Sequence, residues 1–499
     1  MDLASNIAAG FAVALTAQNL LYCFVGVLLG TMVGVLPGIG PVTTVAMLLP
    51  ISFALAPVSA LILLAGIYYG AQYGGSTTAI LINIPGEASS VVTTIDGHQM
   101  ARQGRAGPAL GIAAIGSFFA GCVATLFISA AAPPLAAIAL EFGPAEYFSL
   151  MVCGLVAAVV LAHGSVLKAI AMVVLGLLLG LAGTDVNSGI RRFTFGFQGL
   201  ADGIEFVALS MAIYGIAEIA YKLEGKQDWA DVSQAIGRVW PAWSDIIHCV
   251  PAILRGTGLG SILGVLPGGG ALLASFAAYT LEKKVARTPR AFGKGDIRGV
   301  AAPEAANNAG AQTSFVPMLT LGIPSNPTMA MMIGALMIHG IAPGPRVMIE
   351  RPELFWGVIA SMWLGNLMLV ILNLPLVGVW VRLLRIPYRL LFPAILAFCC
   401  IGAYVINSNA FDLFVMGFFA VFGYVCLKLD CEPAPLILGF VLGPMMEENL
   451  RRALLISRGD FSVFVTEPLS LAFLVAALLL LALVAAPAIR AKREEALQE

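Results

Sequence analysis

Residues 3–86 contain no aspartate, glutamate, lysine or arginine. The same holds for 106–140, 256–281, 305–345, 354–381, 390–411 and 468–489. A membrane span needs about 20 mainly apolar residues, and each of these runs reaches or exceeds that length. A soluble fold needs a wettable surface, yet only 11% of the 499 residues are charged, against roughly 25% in an ordinary soluble domain. The mean hydropathy is +0.93, which also excludes a disordered chain, because disordered chains are polar. The expectation is an all-α polytopic membrane protein with roughly a dozen transmembrane helices, some of them broken or re-entrant. Met1-Asp2 lacks a basic n-region, so the first span is expected to act as the insertion signal. The net charge of −1 argues against a nucleic-acid partner. The eight cysteines form no CxxC pair and read as small side chains in apolar segments, not as a disulfide framework or a metal site.

The sequence contains one pattern twice. Gly34-Val35-Leu36-Pro37-Gly38-Ile39-Gly40 returns as Gly264-Val265-Leu266-Pro267-Gly268-Gly269-Gly270. Further on, Gly70-Ala71-Gln72 returns as Gly310-Ala311-Gln312, and Ile84-Pro85-Gly86 returns, loosely, as Ile323-Pro324-Ser325. A Gly-Pro pair follows each copy, Gly107-Pro108 and Gly344-Pro345. Matched landmarks in the same order at a near-constant offset indicate a duplicated half. The loops give the orientation, because Lys and Arg concentrate in cytoplasmic loops. The link at 51–60 is uncharged, whereas 282–298 carries Lys283, Lys284, Arg287, Arg290, Lys294 and Arg298. The next pair of links reverses this: Arg102 and Arg105 stand almost alone, whereas Arg346 and Arg351 are balanced by Glu350 and Glu353. Opposite senses imply two inverted repeats.

The organisation read from this is a first repeat with broken helices at 1–140, and connecting spans with an interfacial arm at 141–255. The core of the second repeat follows at 256–352, then further spans and a cytoplasmic tail at 353–499. Spans are expected near 147–163, 166–183 and 203–220. Trp240 and Trp243 mark the 221–248 link as an interfacial helix with aromatic anchors.

Proline removes a backbone donor and clashes with the preceding turn. In hydrocarbon, the freed backbone groups must be satisfied by protein or a polar cavity. Broken helices at matching places in two inverted halves are the sequence mark of a transporter site, and the helix N-termini made there favour anions. The site residues read from the first half are Pro37, Gly38, Gly40, Gln72, Ser76, Thr77, Asn83, Pro85, Gly86, Glu87 and Ser89. From the second half they are Gly268, Gly269, Gly270, Asn307, Asn308, Gln312, Thr313, Pro324, Ser325, Asn326 and Thr328. Their hydroxyls and carboxamides can donate to carboxylate oxygens, and their oxygens can ligate a hard cation such as sodium. The plainer alternative is hydrogen bonding between spans. No catalytic residue and no bound cofactor are expected beyond a coupling sodium ion or proton, whose ligands stay open.

Charge favours cation coupling. A multiply charged anion at mid-membrane is costly to desolvate, the break regions carry no Lys or Arg, and a helix dipole supplies only about half a charge. Glu87 ends the first uncharged run and either serves a coupling cation or proton, or caps the helix that begins there. Asp96 and His98 are expected at the interface near the basic link, and His339 in helix packing.

These residues resemble a family: the large membrane (TctA-type) subunit of the bacterial tripartite tricarboxylate transporters. The resemblance rests on Gly34–Pro41, Tyr69–Thr78 leading into Asn83–Glu87, Asp96–Met100, Gly264–Gly270, Pro303–Asn308, Gly322–Ser325 and Leu442–Arg451, and spans about residues 20 to 465. It implies a secondary transporter in the bacterial inner membrane that imports citrate or a related di- or tricarboxylate by symport with sodium or protons. It also implies two partners, a periplasmic solute-binding protein and a small membrane subunit. The substrate does not carry over.

Two other classes fare worse. A primary pump would need a GxxxxGK[ST] loop, which is absent from the sequence. The Gly293-Lys294-Gly295-Asp296 run matches the GxGD pattern of intramembrane aspartyl proteases, but it lies in a basic loop with no second intramembrane aspartate to face it. A passive anion channel would share polar helix breaks and differs in lacking gradient-driven uptake.

Overall fold

The computed structural model describes residues 3–36, 40–162, 165–185, 187–224, 239–266, 270–383 and 388–485. Pro37, Gly38, Gly268 and Gly269, the middle of the 221–248 link and the charged tail at 490–499 lie outside the described residues. The described chain is helical apart from one two-stranded antiparallel ribbon, Gly183–Thr184 with Arg191–Arg192, in the register Gly183 opposite Arg192.

Among the described residues five helices are long and apolar enough to cross a membrane: Ala17–Val35, Ala106–Leu140, Trp243–Leu263, Pro352–Asn373 and Ala410–Lys428. Eight shorter apolar helices of 10–17 residues accompany them, among them Pro41–Phe53 and Pro327–Ile338. The expectation of an all-α membrane chain with roughly a dozen transmembrane helices, some broken or re-entrant, is thus met in its helical, membrane-type character. In the middle segment the helices are Pro144–Leu161, Val166–Gly180 and a run from Phe206 to Glu224 that includes a π-helical stretch at Met211–Ala217. Trp243 opens a long helix and is 73% exposed, and Trp240 is 58% exposed.

The same succession of elements occurs in both halves. Ala17–Val35 leads through a break to Pro41–Phe53, then to Pro57–Ile82, a second break, and the short turn and helix at Ala88–Ser90 and Val91–Arg102. Trp243–Leu263 leads through a break to Gly270–Val285, then to Arg298–Thr313 and Phe315–Leu321, a second break, and Pro327–Ile338. The hitch at Ser314 follows from Pro317, whose ring opposes the carbonyl one turn earlier.

The inner helices of the two halves form the centre. Every residue from Ser59 to Ile80 is buried, and so is every residue of Arg298–Thr313. Small residues let the first and third helices of each half approach closely, as membrane packing requires. A Cβ on Gly34 would stand 2.4 Å from the Ala71 carbonyl oxygen, and one on Gly264 would stand 2.5 Å from that of Gly310. Arg298–Thr313 also packs on Ala106–Leu140, which in turn meets Pro352–Asn373. A second group of helices, Pro144–Leu161, Val166–Gly180, Pro433–Ile456 and Pro468–Ala485, packs together beyond this core.

Candidate functional site

The second breaks of the two halves have one backbone course. Asn83 and Gly322 end their helices in the left-handed region, at φ 60° and 73°. Gly and Asn are the residues that tolerate this conformation at a helix C-terminus. Ile-Pro follows in both. The chain then extends at Glu87 (φ −147°, ψ 164°) and Asn326 (φ −156°, ψ 170°), each of which starts a new helical segment. The Asn326 side chain caps its helix by accepting from the Met329 amide at 2.9 Å. Glu87 sits at the equivalent cap position, its own amide donating to Ser90 Oγ at 3.4 Å. Glu87 and Asn326 are therefore matched positions, although the sequences around them align only loosely.

Within each half the second break touches the end of the helix that precedes the first. Gly86 nests there so tightly that a Cβ would stand 2.2 Å from the Gly34 carbonyl oxygen and 2.5 Å from Gly75 Cα. In the second half Ser314 takes the bridging part. Its hydroxyl lies 3.5 Å from the Gly264 carbonyl, and its own carbonyl accepts from Ser325 Oγ at 3.3 Å.

The halves also meet each other through side chains. Asn307 Nδ2 donates to Glu87 Oε1 at 3.0 Å. Ser89 Oγ lies 2.7 Å from Asn307 Oδ1 and 3.1 Å from Gln72 Oε1, and it also contacts the Glu87 carboxylate. Ser89 has one hydroxyl proton for three acceptor oxygens, so oxygen is in excess at this point. One turn before Gln72 on the same helix face, the Tyr68 hydroxyl accepts from Asn326 Nδ2 at 3.2 Å. Asn326 also donates to Ser314 Oγ at 3.1 Å. One face of the Pro57–Ile82 helix thus serves the polar groups of both second breaks.

The other sequence-read positions divide. Ser76 bonds Glu304 at 2.5 Å and the Gln72 carbonyl at 3.0 Å. Gln312 is buried with its Oε1 unpartnered among the described residues, so an acceptor stands ready for a donor or a cation. Gly40 and Gly270 open the helices that return from the first breaks. Asn308 points elsewhere, donating to Ser117 on Ala106–Leu140 at 2.7 Å. Thr313 bonds back into its own helix and to the Gly260 carbonyl, which is helix packing. Asn83 is exposed, Pro324 and Thr328 are buried, Pro85 is half-buried, and none of the four bonds the cluster through its side chain. Thr77 back-bonds to the Tyr73 carbonyl at 3.4 Å.

Three residues escaped the sequence reading. Glu304 is wholly buried, with its two carboxyl oxygens against the Ser76 and Thr93 hydroxyls. Its signal was present in the Pro303–Asn308 stretch, but it stands just outside the uncharged run 305–345. Tyr68 carried no mark other than lying one turn before Gln72. Asp96, left out of the site in the sequence reading, lies against the basic link as expected and is fully enclosed. Its carboxylate accepts from Tyr279 at 2.9 Å and from the amides of Gly295 and Asp296 at 2.7 and 2.9 Å. The GxGD run therefore serves as an amide cradle for Asp96, with Asp296 itself paired to Arg298. His339 ends the Pro327–Ile338 helix and bonds the Ser52 carbonyl at 3.2 Å.

No group of His, Cys, Asp and Glu suited to a transition metal occurs among the described residues. No lysine or arginine forms an ion pair with Glu87 or Glu304 among them. The cluster offers neutral donors, amide oxygens and two carboxyl groups, a set suited to hard cations and protons.

The chain is 58% identical over 499 residues, covering 100% of it and 99% of the relative, to the "Uncharacterized 52.8 kDa protein in TAR-I ttuC' 3'region" of Agrobacterium vitis. It is also 58% identical over 240 residues, 48% of the chain and 99% of the relative, to the "Uncharacterized protein in TAR-II ttuC' 3'region" of the same organism. No solved structure matches it. The family model described as "Tripartite tricarboxylate transporter TctA family" matches residues 20–438. A membrane chain with buried polar helix breaks, matched across nearly its whole length, belongs to that family and is the large subunit of a tripartite tricarboxylate transporter.

Proposed function

We propose that this chain is the transport subunit of a secondary active carrier that imports a citrate-like di- or tricarboxylate across the bacterial inner membrane. A periplasmic solute-binding protein delivers the substrate, and a small membrane subunit completes the complex. The two halves are inverted repeats, and a core bearing the broken helices moves in an elevator-like manner.

One observation carries this reading: Glu87 and Ser89 of the first half and Asn307 of the second share hydrogen bonds, so the halves build one polar centre. Its charge explains the coupling. Like charges disfavour one another at close range, and a carboxylate entering here meets Glu87 with no lysine or arginine to offset it. A sodium ion or proton travelling with the substrate removes that penalty. Helix N-termini at the breaks add attraction for the anion.

The test is uptake of radiolabelled citrate and related carboxylates into vesicles holding the complete transporter. Uptake above equilibrium that follows an imposed sodium or proton gradient is expected. Passive equilibration indifferent to both gradients would instead identify an anion channel. Ser325→Ala, Asn326→Ala and Gln312→Ala should each weaken uptake, and wild-type rates in all three would remove the second break from the site.

A further inference from the structure

Glu304 is the only acidic residue of the Arg298–Thr313 helix, and it is wholly enclosed. One carboxyl oxygen contacts Ser76 Oγ at 2.5 Å, and the other contacts Thr93 Oγ1. Both partners are neutral hydroxyls. The titratable groups that face it are Tyr73 from the Pro57–Ile82 helix and Glu87 from the first half's second break. The neighbouring Ala106–Leu140 helix has no charged residue. On Trp243–Leu263 and Gly270–Val285, Arg255 and Glu282 close on each other at 2.7 Å, and Lys283 and Lys284 are exposed. On Val91–Arg102, Asp96 is held by Tyr279 and the 295–296 amides, His98 bonds the Ile80 carbonyl, and Arg102 is exposed. An enclosed carboxylate with no cation beside it is better accommodated as the neutral acid.

The other side of Ser76 borders a cavity of about 20 Å³, lined also by Tyr73, Thr77, Ser117 and Asn373. One water needs roughly 10–15 Å³ of such space and two to four polar partners. The Tyr73 hydroxyl and Asn373 Oδ1 are both buried and unpartnered among the described residues, and Ser76, whose hydroxyl also lies 3.0 Å from the Gln72 carbonyl, is a third polar residue of the lining. Ser76 therefore stands between an enclosed acid and a place built for water.

We propose that Glu304 is a proton-binding site, occupied in this conformation, that exchanges its proton through the Ser76 hydroxyl with a water held by Tyr73 and Asn373. On release, the Glu304 O–H bond breaks and its proton passes to Ser76 Oγ. Ser76 gives its own proton to the water, and the carboxylate left behind accepts from Ser76 and Thr93. Uptake reverses these steps. That this proton is the coupling ion rests on the transport reading above. The site itself does not.

Infrared spectroscopy of the full-length chain in phosphatidylcholine vesicles tests the site without any substrate. The wild-type minus Glu304→Gln difference spectrum should contain a protonated-carboxyl C=O band at neutral pH that is lost at alkaline pH. A correctly folded Glu304→Gln protein with the full wild-type band would overturn the proposal. If the Gln variant does not fold, Glu304→Asp should shift the band's titration, and an unshifted titration would overturn it equally. Ser76→Ala should retain the band and slow its shift on transfer to deuterium oxide, and wild-type exchange would overturn the route. Because the band reports Glu304 alone, a failed uptake assay counts against the transport reading and not against this site.

Discussion

Asn307 donates to Glu87 across the boundary between the two halves, at 3.0 Å. The same carboxamide turns its oxygen to Ser89 at 2.7 Å, so one side chain of the second half organises two of the first. Its position follows from the wholly buried Arg298–Thr313 helix, where a polar side chain must find partners. Replacing it with alanine takes a hydrogen-bond donor from Glu87 and one of three acceptors from Ser89, and the lost donor costs about 1–3 kcal/mol. Asn307→Ala should therefore lower gradient-driven uptake by roughly tenfold or more while the protein still inserts and purifies. Wild-type uptake kinetics would show that the cross-half bond serves packing only.

The breaks distinguish glycines that are needed from glycines that are not. A Cβ at position 86 would lie 2.2 Å from the Gly34 carbonyl oxygen, whereas one at position 40 would meet nothing within 4 Å among the described residues. Gly86→Ala must push the second break of the first half away from the end of the Ala17–Val35 helix, and overpacking of this kind costs about 1–3 kcal/mol. It should lower the thermal midpoint in detergent and abolish uptake. Gly40→Ala should leave the midpoint unchanged.

Asp96 joins the first half to the 293–297 loop of the second. Asp96→Ala would leave the Tyr279 hydroxyl and two loop amides without their acceptor, each at about 1–3 kcal/mol if buried. A large drop in thermal midpoint is expected, with Asp96→Asn, which keeps an acceptor oxygen, falling less. Equal losses in both variants would assign the effect to charge and not to hydrogen bonding.

At the ribbon outside the spans, the Ser188 hydroxyl, the Asn187 amide and Arg451 hold the Asp185 carboxyl down to about 2, from an ordinary 3.8. Arg451 also pairs with Glu447, which pairs with Arg192. A carboxyl held low in the folded state adds stability above its unfolded value, and this is lost as pH falls through the folded one. Stability should thus decline between about pH 4 and pH 2. Asp185→Asn should flatten that decline, and an unchanged acid profile would exclude Asp185 as its source.

Much of this was legible in the sequence because charge and proline act locally. The uncharged runs mark a membrane chain, and the repeated Ile-Pro units mark breaks that share one backbone course. The partners of those units were not legible, because they lie across the fold. Nothing near Tyr68 announces Asn326, and nothing near Glu304 announces Ser76 and Thr93. Asn83 was selected for its side chain, whereas its structural part is the left-handed φ of 60° that ends a helix.

A density map of the transporter with citrate bound, or with another carboxylate that the uptake assay accepts, bears on all of this at once. Ligand density should touch both the Glu87–Ser89 segment and the Ser325–Asn326 segment, with Asn307 between them. Density confined to one half, or lying away from both segments, would contradict a shared centre.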